Sequence, residues 1–410
     1  MIQQGKERFY NMAKIAILGY GTVGSGVYDI FVGSDFVKKT GETIEVARIL
    51  DLRDFPEHPK QELFTKDFND ILSDREISVV AETMGGLHPA YEFTKALLES
   101  GKSVTTSNKE LVATYGPELL EIAAAEGVRY MFEASVGGGI PIIRPLASCL
   151  LANDIERIAG ILNGTTNFIL SEMINNSREF DDALADAQAR GYAERNPAAD
   201  IEGHDACRKI AILASMAWGG FVDYNNIQTE GICDISLNDV KYAEKLGASV
   251  KLIGYAEKDK NGSVYSCVAP MLIDRNIPLS GVSDVFNAIM VRGNYLGDAM
   301  FYGRGAGKLA TASAVSADII DMVKNKAVKK PLKWEVGNVR MLDSGEKQWS
   351  YLVRTTADIK AIKTVFEPAE VITGIVEGET GFVTEAMREK DFTEKLEQLG
   401  QGSFIRILAE

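Results

Sequence analysis

From Lys14 to Leu18 the chain reads Lys-Ile-Ala-Ile-Leu, a short apolar run that predicts a buried strand, and from Tyr20 to Ile30 a glycine-punctuated helical pattern takes over. The alternation continues downstream. Strands are expected at Ile44–Leu50, Ser78–Ala81, Ser103–Thr106 and Val128–Glu133, with helices at Pro89–Ser100 and Glu110–Glu126. Strands alternating with helices of roughly 10 to 15 residues are the signature of a parallel, doubly wound α/β sheet. Residues 13–145 are therefore expected to form one nucleotide-binding domain.

Beyond Pro141 longer helices dominate, at Arg144–Leu151, Asn167–Ile174, Phe180–Arg190 and His204–Trp218, with weaker strands at Ile155–Leu162 and Val264–Met271. Residues 146–340 read as an α+β substrate-binding and dimerisation domain, whose Ala306–Val323 helix is expected to return to the first domain. The remaining segment, 346–410, reads strand (Ser350–Thr355), helix (Ile359–Phe366), hairpin (Val371–Gly378 and Thr380–Met387), helix (Lys390–Leu399) and strand (Ser403–Leu408). That βαββαβ order is the plan of a small ferredoxin-like module.

A length of 410 residues suits two or three domains, and 46% apolar with 25% charged residues is the balance of an ordinary globular protein. The net charge of -14 argues against a nucleic-acid partner, which needs clustered Lys and Arg. Four scattered cysteines (Cys149, Cys207, Cys233, Cys267) show neither disulfide-framework nor zinc-like spacing. No apolar run approaches the roughly 20 residues that cross a bilayer, and the polar stretch Met1–Tyr10 lacks the apolar segment of a signal peptide, so no membrane partner and a cytoplasmic location are expected. Residues 1–12 are read as an extension outside the fold.

Chemistry enters at Gly19-Tyr20-Gly21-Thr22-Val23-Gly24. The G-x-G-x-x-G spacing is weak alone, but here it follows a strand and opens a helix. The first glycine then permits a tight turn, and the second lets backbone approach a pyrophosphate at the helix N-terminus. This makes the first domain Rossmann-like. Asp51, at the end of the second strand, suits a ribose 2'-hydroxyl and hence NAD, whereas Arg53 suits the 2'-phosphate of NADP. Both cofactors stay open.

None of the three histidines (His58, His88, His204) sits in an evident proton relay. Lysine is the alternative acid, because burial can lower its pKa. Lys109 follows a strand at the carboxyl edge of the sheet, where ligands of open α/β sheets bind, and Lys209 lies on the His204–Trp218 helix. Each lysine taken alone reads as a surface charge. Asp205, however, shares a helix face with Lys209, and Glu194 and Asp200 lie just upstream in the loop from Gly191 to Gly203. Three carboxylates near one lysine suit the ammonium group of an amino-acid substrate.

These stretches resemble the homoserine dehydrogenase family along nearly the whole chain. The resemblance rests on Gly19 to Gly24, Thr106-Ser107-Asn108-Lys109-Glu110, Glu133 to Pro141, Ile161 to Asn167, Gly191-Tyr192-Ala193-Glu194 and Gly203 to Lys209, in the family's order. It implies NAD(P)H-dependent interconversion of L-aspartate 4-semialdehyde and L-homoserine, a step toward threonine and methionine. It further implies Lys209 as proton donor with Lys109 beside it, and Gly191, Glu194, Asp200 and Asp205 on the substrate. Gly19, Gly21, Thr22, Val23, Gly24, Asp51, Arg53, Thr106, Ser107, Lys109 and Gly303 would contact the cofactor. A monovalent cation, usually sodium, would lie at Glu133, Val136, Gly138 and Ile140. A plain structural turn is the competing reading of that segment. The resemblance also makes the chain a homodimer or higher homo-oligomer, and its last segment resembles a regulatory ACT module, though Thr356-Ala357-Asp358 stands where such modules often carry Pro-Gly. An amino-acid sensor that kept the nucleotide fold but lost turnover is the rival class. The presence of both lysines favours the enzyme.

Overall fold

A computed structural model describes residues 12–33, 41–325, 331–400 and 402–409; of the expected extension 1–12, residues 1–11 lie outside them, whereas Met12 already belongs to the first strand. The chain packs as two compact units, residues 1–144 with 306–335, and residues 145–305 with 336–410.

In the first unit six strands, β1 (Met12–Leu18), β2 (Thr43–Leu50), β3 (Phe64–Thr65), β4 (Ile77–Glu82), β5 (Ser103–Thr106) and β6 (Tyr130–Met131), form one parallel sheet in the order 3-2-1-4-5-6. That is the dinucleotide-binding order, with its topological switch between β1 and β4. Ile15, Ile17, Ile49, Val79 and Ala81 are buried in its core, as strands covered on both faces must be. Helix α1 (Thr22–Gly33) follows β1 directly. The expected returning helix, here Lys308–Lys324, does belong to this unit, and its Ala312 lies so close to Gly26 that a Cβ there would come within 2.8 Å.

The second unit is built on an 11-stranded mixed sheet. Its path runs β12 (Gly297–Arg304), β11 (Phe286–Gly293), β7 (Ile155–Ile161), β9 (Ala248–Lys258), β10 (Val264–Asp274), β17 (Gly402–Leu408), β13 (Gln348–Thr355), β15 (Thr380–Val383) and β14 (Glu370–Ile372). β8 (Gln228–Thr229) pairs with β10, and β16 (Met387–Arg388) with β13. This sheet is more extensive than the weak strands expected from sequence, because β9, β11 and β12 escaped that reading. One face carries Tyr255, Tyr265, Cys267, Met271, Tyr351, Phe382 and Phe392 in a single cluster. On the other, Gly254 leaves room for Leu162 and for Ile210 of the His204–Trp218 helix. The helix expected at Arg144–Leu151 is only a five-residue π-helical turn, Pro145–Cys149.

Candidate active site

In the first unit the turn between β1 and α1 has the geometry a dinucleotide needs. Gly19 adopts φ +88°, and its N–H donates to Leu50 O at 2.8 Å. A Cβ on Gly24 would stand 1.9 Å from Gly19 O, whereas one on Gly21 would meet open space. The first and third glycines thus close the turn, and the second leaves backbone exposed to a ligand. Thr22 is exposed and Val23 half-buried at the start of α1, where free N–H groups favour an anion. A cavity of about 420 Å³ opens beside the turn, lined by Gly19, Gly21, Asp51, Arg53, Lys66 and Met84 among others.

Asp51 accepts the Tyr20 N–H at 2.8 Å and pairs with Arg53, whose Nη2 also donates to Tyr20 O at 3.1 Å. The Arg53 guanidinium holds the Asp51 carboxyl down at about 2. Sequence reading set these residues against each other as alternative ribose ligands. Here they form one unit.

Across the same sheet edge, the carboxylate of Glu82 is fully buried and accepts from Thr106 Oγ1 at 2.6 Å and Met84 N at 2.7 Å. Burial pushes this carboxyl up. Thr106 Oγ1 in turn accepts from Asn108 N at 2.9 Å, and Asn108 caps the helix Lys109–Ala125 by accepting from Leu111 N. Capping fixes Lys109 as the first helical residue, half-buried just past half-buried Ser107.

Residues 133–144 form a separate acidic knot in this unit. The Glu133 carboxylate accepts from the backbone N–H groups of Ile142, Ile143 and Arg144 at 2.7 to 2.9 Å. Gly137 and Gly138 take positive φ, and Ile140 N donates to Gly137 O, so Val136 to Ile140 is a tight turn. No group of three or more His, Cys, Asp or Glu side chains suited to a metal occurs among the described residues. Any cation here would rely on backbone carbonyls.

The second unit holds the acids and Lys209. The helix Phe180–Ala189 ends at Gly191, φ +74°, with Gly191 N donating to Gln188 O and Tyr192 N to Ala187 O, the paired bonds of a glycine-terminated helix. Thr165 Oγ1 then ties the loop down by donating to Tyr192 O at 2.7 Å. Asp200 sits in the short helix Ala198–Ile201, and Asp205 in the first turn of the His204–Trp218 helix, where the dipole favours an anion. Lys209, 7% exposed, donates to Asp205 Oδ2 and to Leu162 O, both at 2.7 Å. It is no surface charge.

Asn163 joins these groups, and sequence reading gave it no role. Its Oδ1 caps the helix Gly164–Asn176 by accepting from Thr166 N, while its Nδ2 donates to Asp200 at 2.7 Å and Asp205 at 2.9 Å. An Asn at a strand end before Gly-Thr-Thr signals a cap, but not its distant partners. Glu194 is exposed in the same loop, where its backbone carbonyl accepts from Gln188 Nε2 at 3.1 Å. Gly303 lies in β12 opposite Asn287.

Comparison with known proteins follows the same lines. A family model described as homoserine dehydrogenase, NAD binding domain, matches residues 19–133, and one described as homoserine dehydrogenase matches residues 141–320. A homoserine dehydrogenase of Synechocystis sp. is 43% identical over 318 residues, 76% of this chain and 73% of that one. The crystal structure of a homoserine dehydrogenase from Thiobacillus denitrificans shares the fold with a TM-score of 0.90 at 33% identity, covering 97% of this chain and 99% of that chain. A hyperthermophilic archaeal homoserine dehydrogenase mutant in complex with NADPH aligns with a TM-score of 0.65 at 29% identity, covering 76% of this chain and 98% of that chain.

Proposed function

Since the chain belongs to the homoserine dehydrogenase family, NAD(P)-dependent oxidoreductases that interconvert L-aspartate 4-semialdehyde and L-homoserine, we propose that Lys209 exchanges the proton at the substrate oxygen. The observation that carries this is the buried ammonium of Lys209 held against Asp205, which Asn163 joins to Asp200. An ammonium fixed in a dry site both donates a proton and stabilises charge developing on the oxygen. Asp205 and Glu194 take the substrate ammonium, with Asp200 in support and Gly191 shaping the loop. In the first unit Lys109, fixed by its cap, is read as standing at the cofactor edge. The dinucleotide, when bound, supplies or accepts the hydride.

The cavity beside Gly21, Thr22 and Val23 fits that dinucleotide, with Thr106 and Ser107 as further contacts. Arg53 and Lys66 both line it, so we read the site as accepting NADP as well as NAD. A monovalent cation such as sodium would take carbonyl oxygens of Val136, Gly138 and Ile140, with Glu133 as the nearby charge. Residues 346–410 are read as an ACT-like module, because β17-β13-β15-β14 pair throughout as antiparallel neighbours in the ferredoxin-like order. A homodimer is favoured by the edge strand β12, where Met300 and Tyr302 are 40% and 54% exposed beside Tyr295 at 83%. A cytoplasmic setting accords with the absence, among the described residues, of any helix long and apolar enough to cross a membrane. The test is homoserine-dependent reduction of NAD and of NADP by the whole chain. Turnover is expected with both, and absence of turnover with either rejects the assignment of the site.

A further inference from the structure

We propose that Arg406, on the last strand of the chain, is a positioning residue for the acids of the substrate loop, acting through Glu230. The inference rests on reading Asp200 and Asp205 as substrate ligands. β8 and β17 dock on the same edge of β10, β8 at Cys267 and Val268 and β17 at Met271 to Ile273, so the two segments meet nearly end to end. Side chains alternate along such an extended segment. On one side Gln228 and Glu230 reach Arg406 and Glu389. On the other, Thr229 and Gly231 face the loop that carries the acids.

The first side is an ion cluster around the buried guanidinium of Arg406, with Glu230 partly exposed. Arg406 is 2% exposed and grips Glu230 with two bonds, Nη1 to Oε2 at 2.6 Å and Nη2 to Oε1 at 2.8 Å. Nη2 also donates to Glu389 Oε1 at 2.5 Å, and Gln228 Nε2 bridges Glu230 and Glu389 at 3.0 and 2.8 Å. A two-pronged guanidinium bond fixes direction as well as distance, and side-chain freedom at Glu230 is correspondingly small.

The second side transmits that fixation to the acids. Ile232 N donates to Ile201 O at 2.8 Å, and a Cβ on Gly231 would stand only 2.2 Å from the same carbonyl. Gly203, φ +85°, packs with its missing Cβ position 3.1 Å from Thr229 Cγ2 and 3.3 Å from Glu230 O. Ile201 follows Asp200 directly, and Gly203 caps the helix whose first turn carries Asp205. Segment 228–232 is therefore the backing of the peptide that aims both carboxylates. Beyond backbone pairing to β10, its anchors are Arg406 on Glu230 and the Gln228 bond to Glu389. Residues past 320 lie outside both matched family models, so the clamp is supplied by a part of the chain those models do not cover.

A loosened backing costs substrate binding in ground state and transition state alike, which raises KM and spares kcat. In the full-length enzyme, Arg406→Met is expected to raise the KM for homoserine about tenfold, with kcat and the KM for the dinucleotide changed less than about twofold. Glu230→Gln leaves Arg406 paired with Glu389, which guards against loss of the fold, and is expected to raise the homoserine KM about threefold. Arg406→Lys should restore part of the loss. Parental homoserine KM in both Arg406→Met and Glu230→Gln overturns the proposal, as does a loss in which kcat and both KM values move together. Asp205→Asn separates the two readings: if that variant keeps the parental homoserine KM, the acids are not substrate ligands, whatever Arg406 does.

Discussion

Lys209 Nζ lies 2.7 Å from Asp205 Oδ2, and that one oxygen also accepts from Asn163 Nδ2 at 2.9 Å. Under the proposed assignment, Lys209 brings its charge to the substrate oxygen while Asp205 fixes its direction. Lys209→Ala is expected to lower kcat for homoserine oxidation by about 10²- to 10³-fold, the usual scale for removing a positioned proton-transfer group. Dinucleotide binding, measured by fluorescence titration, should change less than about twofold, since the cofactor turn belongs to the other unit. Near-parental kcat in that variant would remove Lys209 from the proton path.

Asn163 serves both the cap and the acids, so its two functions separate by substitution. Asn163→Asp retains a capping oxygen but places a third carboxylate against Asp200 and Asp205 and removes both donors. Asn163→Ala loses the cap, at about 1 kcal/mol, without adding charge. The aspartate variant is expected to be the poorer enzyme, with a higher homoserine KM than the alanine variant. The reverse order in KM would mean that Asn163 matters only as a cap.

Much of the first unit was legible because its information is local. The glycine spacing from Gly19 to Gly24, the apolar run before it and the alternation of strands with helices each lie within a few tens of residues, and the sheet order follows from them. The His204–Trp218 helix also appeared with the bounds expected. Asn163 was not legible in its second role, because its partners lie 37 and 42 residues downstream and only the fold brings them near. The same holds for β9, whose apolar run is interrupted by buried Lys251, a charge that breaks the pattern yet is satisfied by Val282 O. Strand β12 lies at the sheet's edge and alternates exposed with half-buried residues, so its apolar signal is faint. The Asp51 and Arg53 pair shows a different limit: spacing named both residues, but whether they compete or cooperate depends on side-chain geometry.

That pair makes cofactor choice testable. Asp51, held ionised, would repel a 2'-phosphate, while Arg53 offsets the charge and Lys66 lines the same cavity. Arg53→Ala leaves Asp51 without its guanidinium partner. It is expected to lower kcat/KM for NADP about tenfold while altering that for NAD by less than about threefold, the range of one charge-assisted contact. Equal losses with both cofactors would assign Arg53 to the shape of the Tyr20 turn rather than to the phosphate.

Asp318 supplies a prediction on stability in the first unit. It is fully buried, accepts from Thr105 Oγ1 and Glu133 N at 3.0 Å, and pairs with Arg144 at 2.6 Å. Burial, reinforced by the charge of Glu133, nevertheless raises its carboxyl from 3.8 to about 6. Well below pH 3.8 the group is protonated whether the chain is folded or not, and its contribution to stability is fully present. As pH rises toward 6 the unfolded chain ionises first, so this contribution is lost, and above that the loss is complete at about 3 kcal/mol or less. Asp318→Asn cannot ionise. Its thermal midpoint is therefore expected to climb relative to the parent's between pH 4 and 7 and to run parallel above that. A difference that stays constant across this range, or that shifts the other way, would show that Arg144 holds Asp318 ionised throughout.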